Sequence, residues 1–161
     1  MPATTSRTTK NIAKNWRMNN KKRYSIDDCN VVSLPKHTRP NGNLTVAEGN
    51  ISVPFDIRRV YYLYDIPAGE ERGGHAHKQL QQFFIAVSGS FDVIIDDGDN
   101  RRTITLNRPF TGLHIRPGIW RELNNFSSGA VCLVLASEHY DEDDYIRIYD
   151  EFIAYSKEDK Q

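Results

Sequence analysis

Short segments that are apolar throughout, or that alternate apolar with polar side chains, follow one another along most of this chain. They fall at residues 31–34, 44–48, 57–64, 74–80, 82–88, 90–96, 102–106, 111–115, 121–125 and 131–137. These are strand lengths rather than helix lengths. Breakers lie between most of them: Pro67-Ala68-Gly69, Ser88-Gly89-Ser90, Asp97-Gly98-Asp99-Asn100, Arg108-Pro109 and Ser127-Ser128-Gly129. Pro40-Asn41-Gly42 separates 31–34 from 44–48 and predicts an opening hairpin. The acidic run at 96–100 reads as another hairpin turn; a calcium loop is the weaker alternative, because the downstream Glu is missing. Only 141–156 has helical spacing, with Ile146, Tyr149, Phe152 and Ile153 recurring and Asp141, Glu142, Asp143 and Asp144 suited to the positive end of a helix dipole. The pattern predicts an all-β jelly roll, or double-stranded β-helix, with one short C-terminal helix packed on it.

Length and charge narrow the picture. At 161 residues the chain suits one domain with a core of its own. The first 25 residues carry seven Lys or Arg and no acid, which leaves fourteen basic against twenty-one acidic residues in the remainder, about −7 with His neutral. An acidic body argues against nucleic acid as a partner. The expected organisation is a basic, disordered arm over 1–25, a barrel with its helix over 26–156 and a tail over 157–161. A transit peptide or a strand-swapping tail are the other readings of the arm. No apolar run is long enough for a signal-peptide core or a membrane span, so neither export nor membrane is expected. Two cysteines, Cys29 and Cys132, form no disulfide framework, and Cys132 reads as a buried thiol in a reducing cytoplasm.

Candidate chemistry concentrates at Gly69-x5-His75-x-His77-x4-Gln82-x6-Gly89. Alternate strand residues share a face about 7 Å apart, so His75 and His77 aim into one cavity, with Ala76 turned outward. The spacing is that of the first motif of cupin barrels, with Gln82 where a ligand Glu normally stands. In the second motif Gly112, Pro117 and Asn125 are in place, but Arg121 holds the histidine position. Arginine has five donors and no lone pair, so it cannot ligate a cation and would repel one. Two imidazoles alone make a weak divalent site, since stable zinc or iron sites use at least three protein ligands. The expectation is a cupin pocket with no metal and no cofactor.

A family resemblance rests on several ordered motifs. They are IRRVYY at 57–62, RGGHAHK at 72–78, Gly89-Ser90, DDG at 96–98, IWRE at 119–122, Phe126-Ser127, LVLAS at 133–137, YDEDDYIR at 140–147 and Tyr149-Asp150. Over residues 29–155 the chain resembles the nucleotide-sugar 3,4-ketoisomerases, the FdtA/QdtA-type or WxcM-like cupins. The resemblance implies a metal-free isomerase that converts a dTDP-linked 4-keto-6-deoxyhexose to its 3-keto isomer ahead of amination at C3, for surface polysaccharide. It implies a strand-exchanged homodimer, a catalytic pair at His75 and His77, and a substrate lining drawn from Arg59, Tyr61, Arg72 and Lys78. Two departures touch specificity: Arg121 stands where members often have His, and Arg39-Pro40-Asn41-Gly42 stands where they often have Asp-x-Arg-Gly.

The chemistry fits that implication. Moving a ketone from C4 to C3 takes a proton from C3 and returns one to C4 through an enediol. Imidazole, with an unperturbed pKa of about 6.5, serves as base and acid near neutrality. His75 is the expected base and His77 its partner, although the order can be reversed. Arg121 or Arg72 is expected to stabilise enolate charge or grip the diphosphate, Tyr61 to stack or donate a proton, and Gln82 to line the site. A nucleotide-sugar epimerase, a metal-dependent cupin and a non-catalytic sugar-binding module are the competing readings.

Overall fold

The computed structural model describes residues 23–158; most of the expected basic arm and the end of the tail lie outside them. The described residues form twelve strands: β1 (Val31–Ser33), β2 (Lys36–Arg39), β3 (Gly42–Thr45), β4 (Arg59–Leu63), β5 (Arg72–His77), β6 (Gln82–Ser88), β7 (Phe91–Asp96), β8 (Arg101–Leu106), β9 (Thr111–Ile115), β10 (Trp120–Asn124), β11 (Val131–Ala136) and β12 (Tyr145–Ile146). One helix, α1 (Tyr149–Lys157), closes the described chain. Two five-stranded antiparallel sheets run in the orders β1-β9-β6-β11-β4 and β12-β5-β10-β7-β8, and β2-β3 form a separate hairpin. This is the double-stranded β-helix of a cupin.

Side-chain alternation assigns each strand two faces. Phe84, Ala86, Phe91, Val93, Ile95, Leu113, Ile115, Leu123, Cys132 and Val134 meet in the main core between the sheets. The other face of β6 is not left to water: Phe83 and Ile85 pack with Leu34, Val53, Phe55 and Leu135. Burial on both sides is why β6 reads as a continuous apolar run rather than an alternating one. Gly112 leaves room for this second layer, since a Cβ there would lie 1.8 Å from the Phe83 ring. A third cluster, Ala76, Trp120, Ile146 and Phe152, joins α1 to the second sheet.

Three expectations need correction. The opening hairpin forms, but its first strand is Lys36–Arg39; Val31–Ser33 instead pairs with β9. Val32 and Leu34 pack in the second cluster with Phe83, whereas the hairpin strands are almost wholly exposed, Leu44 included. The helix does not begin at Asp141. Asp141 caps a 3-10 turn at Glu142–Asp144, and Tyr145–Ile146 adds to the edge of β5 before α1 starts. Acidic residues ahead of an apolar period suit a short cap as well as a long helix, so composition could not separate them. Ala76 does turn away from the barrel, yet it is fully buried, because Ile146 and Phe152 cover it. Among the described residues no helix is long and apolar enough to cross a membrane.

Candidate active site

The open end of the barrel holds a cavity of about 470 Å³, lined by β4, β5, β10, β11 and the segment 140–147. Two glycines set up its floor. Gly73 (φ 85°) and Gly74 (φ 73°) sit in the left-handed region that side chains avoid, and a Cβ at Gly73 would press on the Arg121 carbonyl at 3.0 Å. The kink brings β5 close to β10, where His75 pairs directly with Arg121 across the ladder. Tyr61 and Arg59 enter from β4, opposite Val134 and Ala136 of β11.

The cavity is cationic. Arg59, Arg72, Arg121 and Arg147 line it against one acid, Glu71. Arg121 has no exposed surface, and none of its three guanidinium nitrogens has a hydrogen-bond partner among the described residues. Burial pulls its pKa down to about 10, with Tyr61 opposing, so it stays protonated at neutral pH. A buried cation without a counter-ion is costly unless a ligand supplies the charge and acceptors. Burial pushes the Tyr61 phenol up to about 12, against the pull of Arg121, and its oxygen accepts a 2.8 Å hydrogen bond from Gln82 Nε2. Its own proton is thereby left to donate into the cavity.

The histidine rings meet edge to face, 4.8 Å between centroids, and Tyr145 packs on both. Burial, then the charge of Arg121 and the neighbouring His77, lower His75 to about 2, while a bond to the Gly73 backbone opposes the shift. Burial lowers His77 to about 4; the hydrogen bond to Asp144 works the other way and Arg121 adds to the lowering. His77 Nδ1 lies 3.1 Å from Asp144 Oδ2, and its Nε2 is buried without a partner among the described residues. Both rings are neutral bases at pH 7.

The structure gathers His75, Arg59, Tyr61, Arg72 and Arg121 around this cavity. It places three other sequence candidates elsewhere: His77 is fully buried and does not share this cavity with His75 as the spacing predicted. Lys78 is exposed, donates to the Asp143 carbonyl at 2.8 Å, and lines a neighbouring cavity of about 410 Å³ with His77. Gln82 is fully buried behind Tyr61. The polar side chains that sequence reasoning missed are Glu71 and a group within 140–147. Tyr140, Tyr145 and Arg147 line the cavity, Asp144 holds His77, and Glu142 fixes Arg147 through two hydrogen bonds. The period-two spacing of Tyr145 and Arg147 was the available signal, hidden by the helical spacing of the residues that follow. Among the described residues no three His, Cys, Asp or Glu side chains converge on a common point that would hold a metal.

The depressed imidazoles fix how stability varies with pH. His114, buried against Phe55 and bonded to Gln81, is also lowered by burial to about 4. Unfolded, each of the three histidines takes a proton as pH falls through about 6.5; folded, His77 and His114 hold off until about 4 and His75 until about 2. The unfolded state binds more protons throughout that window, so acid destabilises the fold. The melting temperature is expected to be level above about pH 6.5 and to fall steadily toward pH 4, with a shallower fall in His114→Gln. Thermal melts across that range check it, and an unchanged melting temperature would show that these rings protonate freely in the fold.

Comparison with known proteins agrees with the geometry. The FdtA family model (WxcM-like, C-terminal) matches residues 27–157. The TDP-4-oxo-6-deoxy-alpha-D-glucose-3,4-oxoisomerase of Aneurinibacillus thermoaerophilus is 46% identical over 125 residues, 78% of this chain and 90% of that protein. The WlaRB TDP-quinovose 3,4-ketoisomerase of Campylobacter jejuni is 49% identical with a TM-score of 0.76, covering 79% of this chain and 98% of that one. A histidine-to-asparagine mutant of the 3,4-ketoisomerase QdtA from Thermoanaerobacterium thermosaccharolyticum, solved with TDP-4-keto-6-deoxyglucose, is 43% identical with a TM-score of 0.79, covering 80% and 94%. With a matched span that takes in both sheets, the histidine pair and the 140–147 segment, the chain belongs to the FdtA family of WxcM-like proteins.

Proposed function

We propose that this chain is a sugar-nucleotide 3,4-ketoisomerase, which moves the ketone of a dTDP-linked 4-keto-6-deoxyhexose from C4 to C3. The observation that carries the site assignment is a neutral imidazole, His75, set across the ladder from a buried cation with no partner, Arg121. The C3 proton of such a sugar is acidified by the adjacent carbonyl. His75 removes it, and negative charge develops on the C4 oxygen. Arg121 meets that charge with preorganised donors in a site shielded from water, which is where electrostatic stabilisation is strongest. His75 then delivers its proton to C4, and the enediol collapses to the 3-ketone. Arg59, Arg72 and Arg147 give the cavity the charge that a nucleoside diphosphate requires.

The working unit is a homodimer. The hairpin Lys36–Arg39 and Gly42–Thr45 stands clear of both sheets with Leu44 exposed, and Val60 and Tyr62 are exposed on the edge strand β4. An edge of this kind is a template for pairing with a second chain.

The test is incubation of the purified full-length chain with dTDP-4-keto-6-deoxyglucose in deuterium oxide, followed by NMR. A 3-keto product labelled at C4 is expected. Label at C5, or binding of the sugar nucleotide with no new ketone, would replace the isomerase with an epimerase or a binding module.

A further inference from the structure

Ketoisomerisation puts negative charge on two neighbouring oxygens in turn: on O4 as the C3–H bond breaks, and on O3 before C4 takes its proton. Arg121 is one fixed group able to meet that charge. A second donor helps only if it keeps its proton and already points at the sugar. Tyr61 lines the cavity and keeps its proton, because burial holds its phenol up at about 12. Its direction is not set by its own ring, since a phenol O–H can turn and its oxygen can both donate and accept.

Gln82 sets that direction. Strands β4 and β6 flank β11, and the register aligns Gln82, Ala136 and Arg59 in one row and Phe84, Val134 and Tyr61 in the next. Period-two alternation puts both rows on one face of the sheet. Directly opposite Gln82 stands only the methyl group of Ala136, so the amide reaches across β11 and its Nε2 donates to the Tyr61 oxygen at 2.8 Å. The amide has no exposed surface, and its Oε1 has no partner among the described residues. In a strand that runs on through the core residues Phe83, Phe84 and Ile85, an apolar side chain would avoid that desolvation cost. It could not donate to Tyr61. Nor could an ionised carboxylate, which only accepts.

We propose that Gln82 is a positioning residue of the reaction: by donating to the Tyr61 oxygen it turns the phenol proton into the cavity, where Tyr61 joins Arg121 in meeting the charge on the two sugar oxygens. This rests on the isomerase reading above. Tyr61 holds its proton throughout, so no covalent bond to hydrogen is made or broken at this pair.

A variant cycle separates direction from packing. Gln82→Met keeps the length and the burial but removes the donor. With dTDP-4-keto-6-deoxyglucose and the full-length chain, kcat is expected to fall about tenfold, the worth of one hydrogen bond, with KM unchanged. In Tyr61→Phe, where turnover falls by about 10²–10³-fold, Gln82→Met should cost nothing further. A Gln82 that served packing alone would cost the same factor in both backgrounds, and that result would overturn the proposal.

Gln82→Glu reverses the bond. The charge of Arg121 reaches Tyr61 and keeps a neighbouring carboxyl ionised, so Glu at 82 takes the phenol proton as an acceptor. Turnover should then drop as far as in Tyr61→Phe. Infrared spectroscopy reads the direction itself, because the tyrosine C–O stretch differs between a phenol that accepts and one that donates. The Tyr61 band, isolated by subtracting the spectrum of Tyr61→Phe, should show an accepting phenol in the wild type and a purely donating one in Gln82→Glu. A wild-type phenol that donates to Gln82, or undiminished turnover in Gln82→Glu, would defeat the assignment. Absence of any 3-keto product from the wild type would instead defeat the isomerase reading, on which the infrared result does not depend.

Discussion

His75→Asn abolishes isomerisation, with turnover falling by about 10²–10⁴-fold, while TDP binds as tightly as to the wild type. The magnitude is that of removing a positioned general base. Asparagine is close to imidazole in size, so the kinked glycine pair and the neighbouring ladder keep their shape. It lacks a basic lone pair, and no other neutral base stands at that point of the cavity. On the proposed reading the diphosphate is held by the arginines, which the substitution does not touch, and binding energy of that kind is common to ground state and transition state. Product measured by NMR, beside calorimetric titration with TDP, separates the two effects. Turnover within tenfold of wild type would move the carbon base to another residue, and loss of TDP binding would show that the variant has disturbed the pocket. C3 exchange should disappear along with product.

The sequence disclosed the part of the site that lies on regular strands. His75, His77 and Arg121 sit at period-two positions of β5 and β10, so their shared face follows from pleat geometry alone. Gly112 and the apolar β6 were legible for the same reason, since core strands record burial in composition. The segment 140–147 was legible as a motif but not as a structure. Its acids cap a three-residue turn, its two-residue strand is too short to show a period, and the helix behind it imposes a stronger one. Asp144 acquires meaning only from the fold, which folds it back across 67 positions of sequence to reach His77. The exchange of roles between Lys78 and Arg147 has a similar origin. Lys78 follows the histidines in sequence but turns out of the barrel at the strand's end, whereas Arg147 is carried over the cavity by Tyr145, on whose ring it stacks at 4.1 Å.

Arg121→Met separates stability from function. The wild-type guanidinium is wholly buried, lacks any hydrogen-bond partner among the described residues, and lies among Phe84, Leu123 and Val134. Methionine matches the length of its stem, packs on those apolar neighbours and brings no charge to desolvate. Replacing buried ionic groups by apolar ones of similar volume stabilises by about 1–4 kcal/mol in favourable cases, and the missing counter-ion makes this a favourable case. The melting temperature of the unliganded protein should therefore rise by several degrees. Turnover should fall by about 10²–10³-fold, the usual cost of deleting one preorganised donor at a developing oxyanion. The depressed histidines supply a second readout: with Arg121 gone, one of the charges that hold His75 and His77 down is removed, and both should titrate closer to the ordinary range. Differential scanning calorimetry and histidine NMR titration test all three consequences on one variant. A lower melting temperature would mean that the guanidinium is neutralised within the folded protein, and an unshifted histidine titration would mean that its field does not reach the imidazoles.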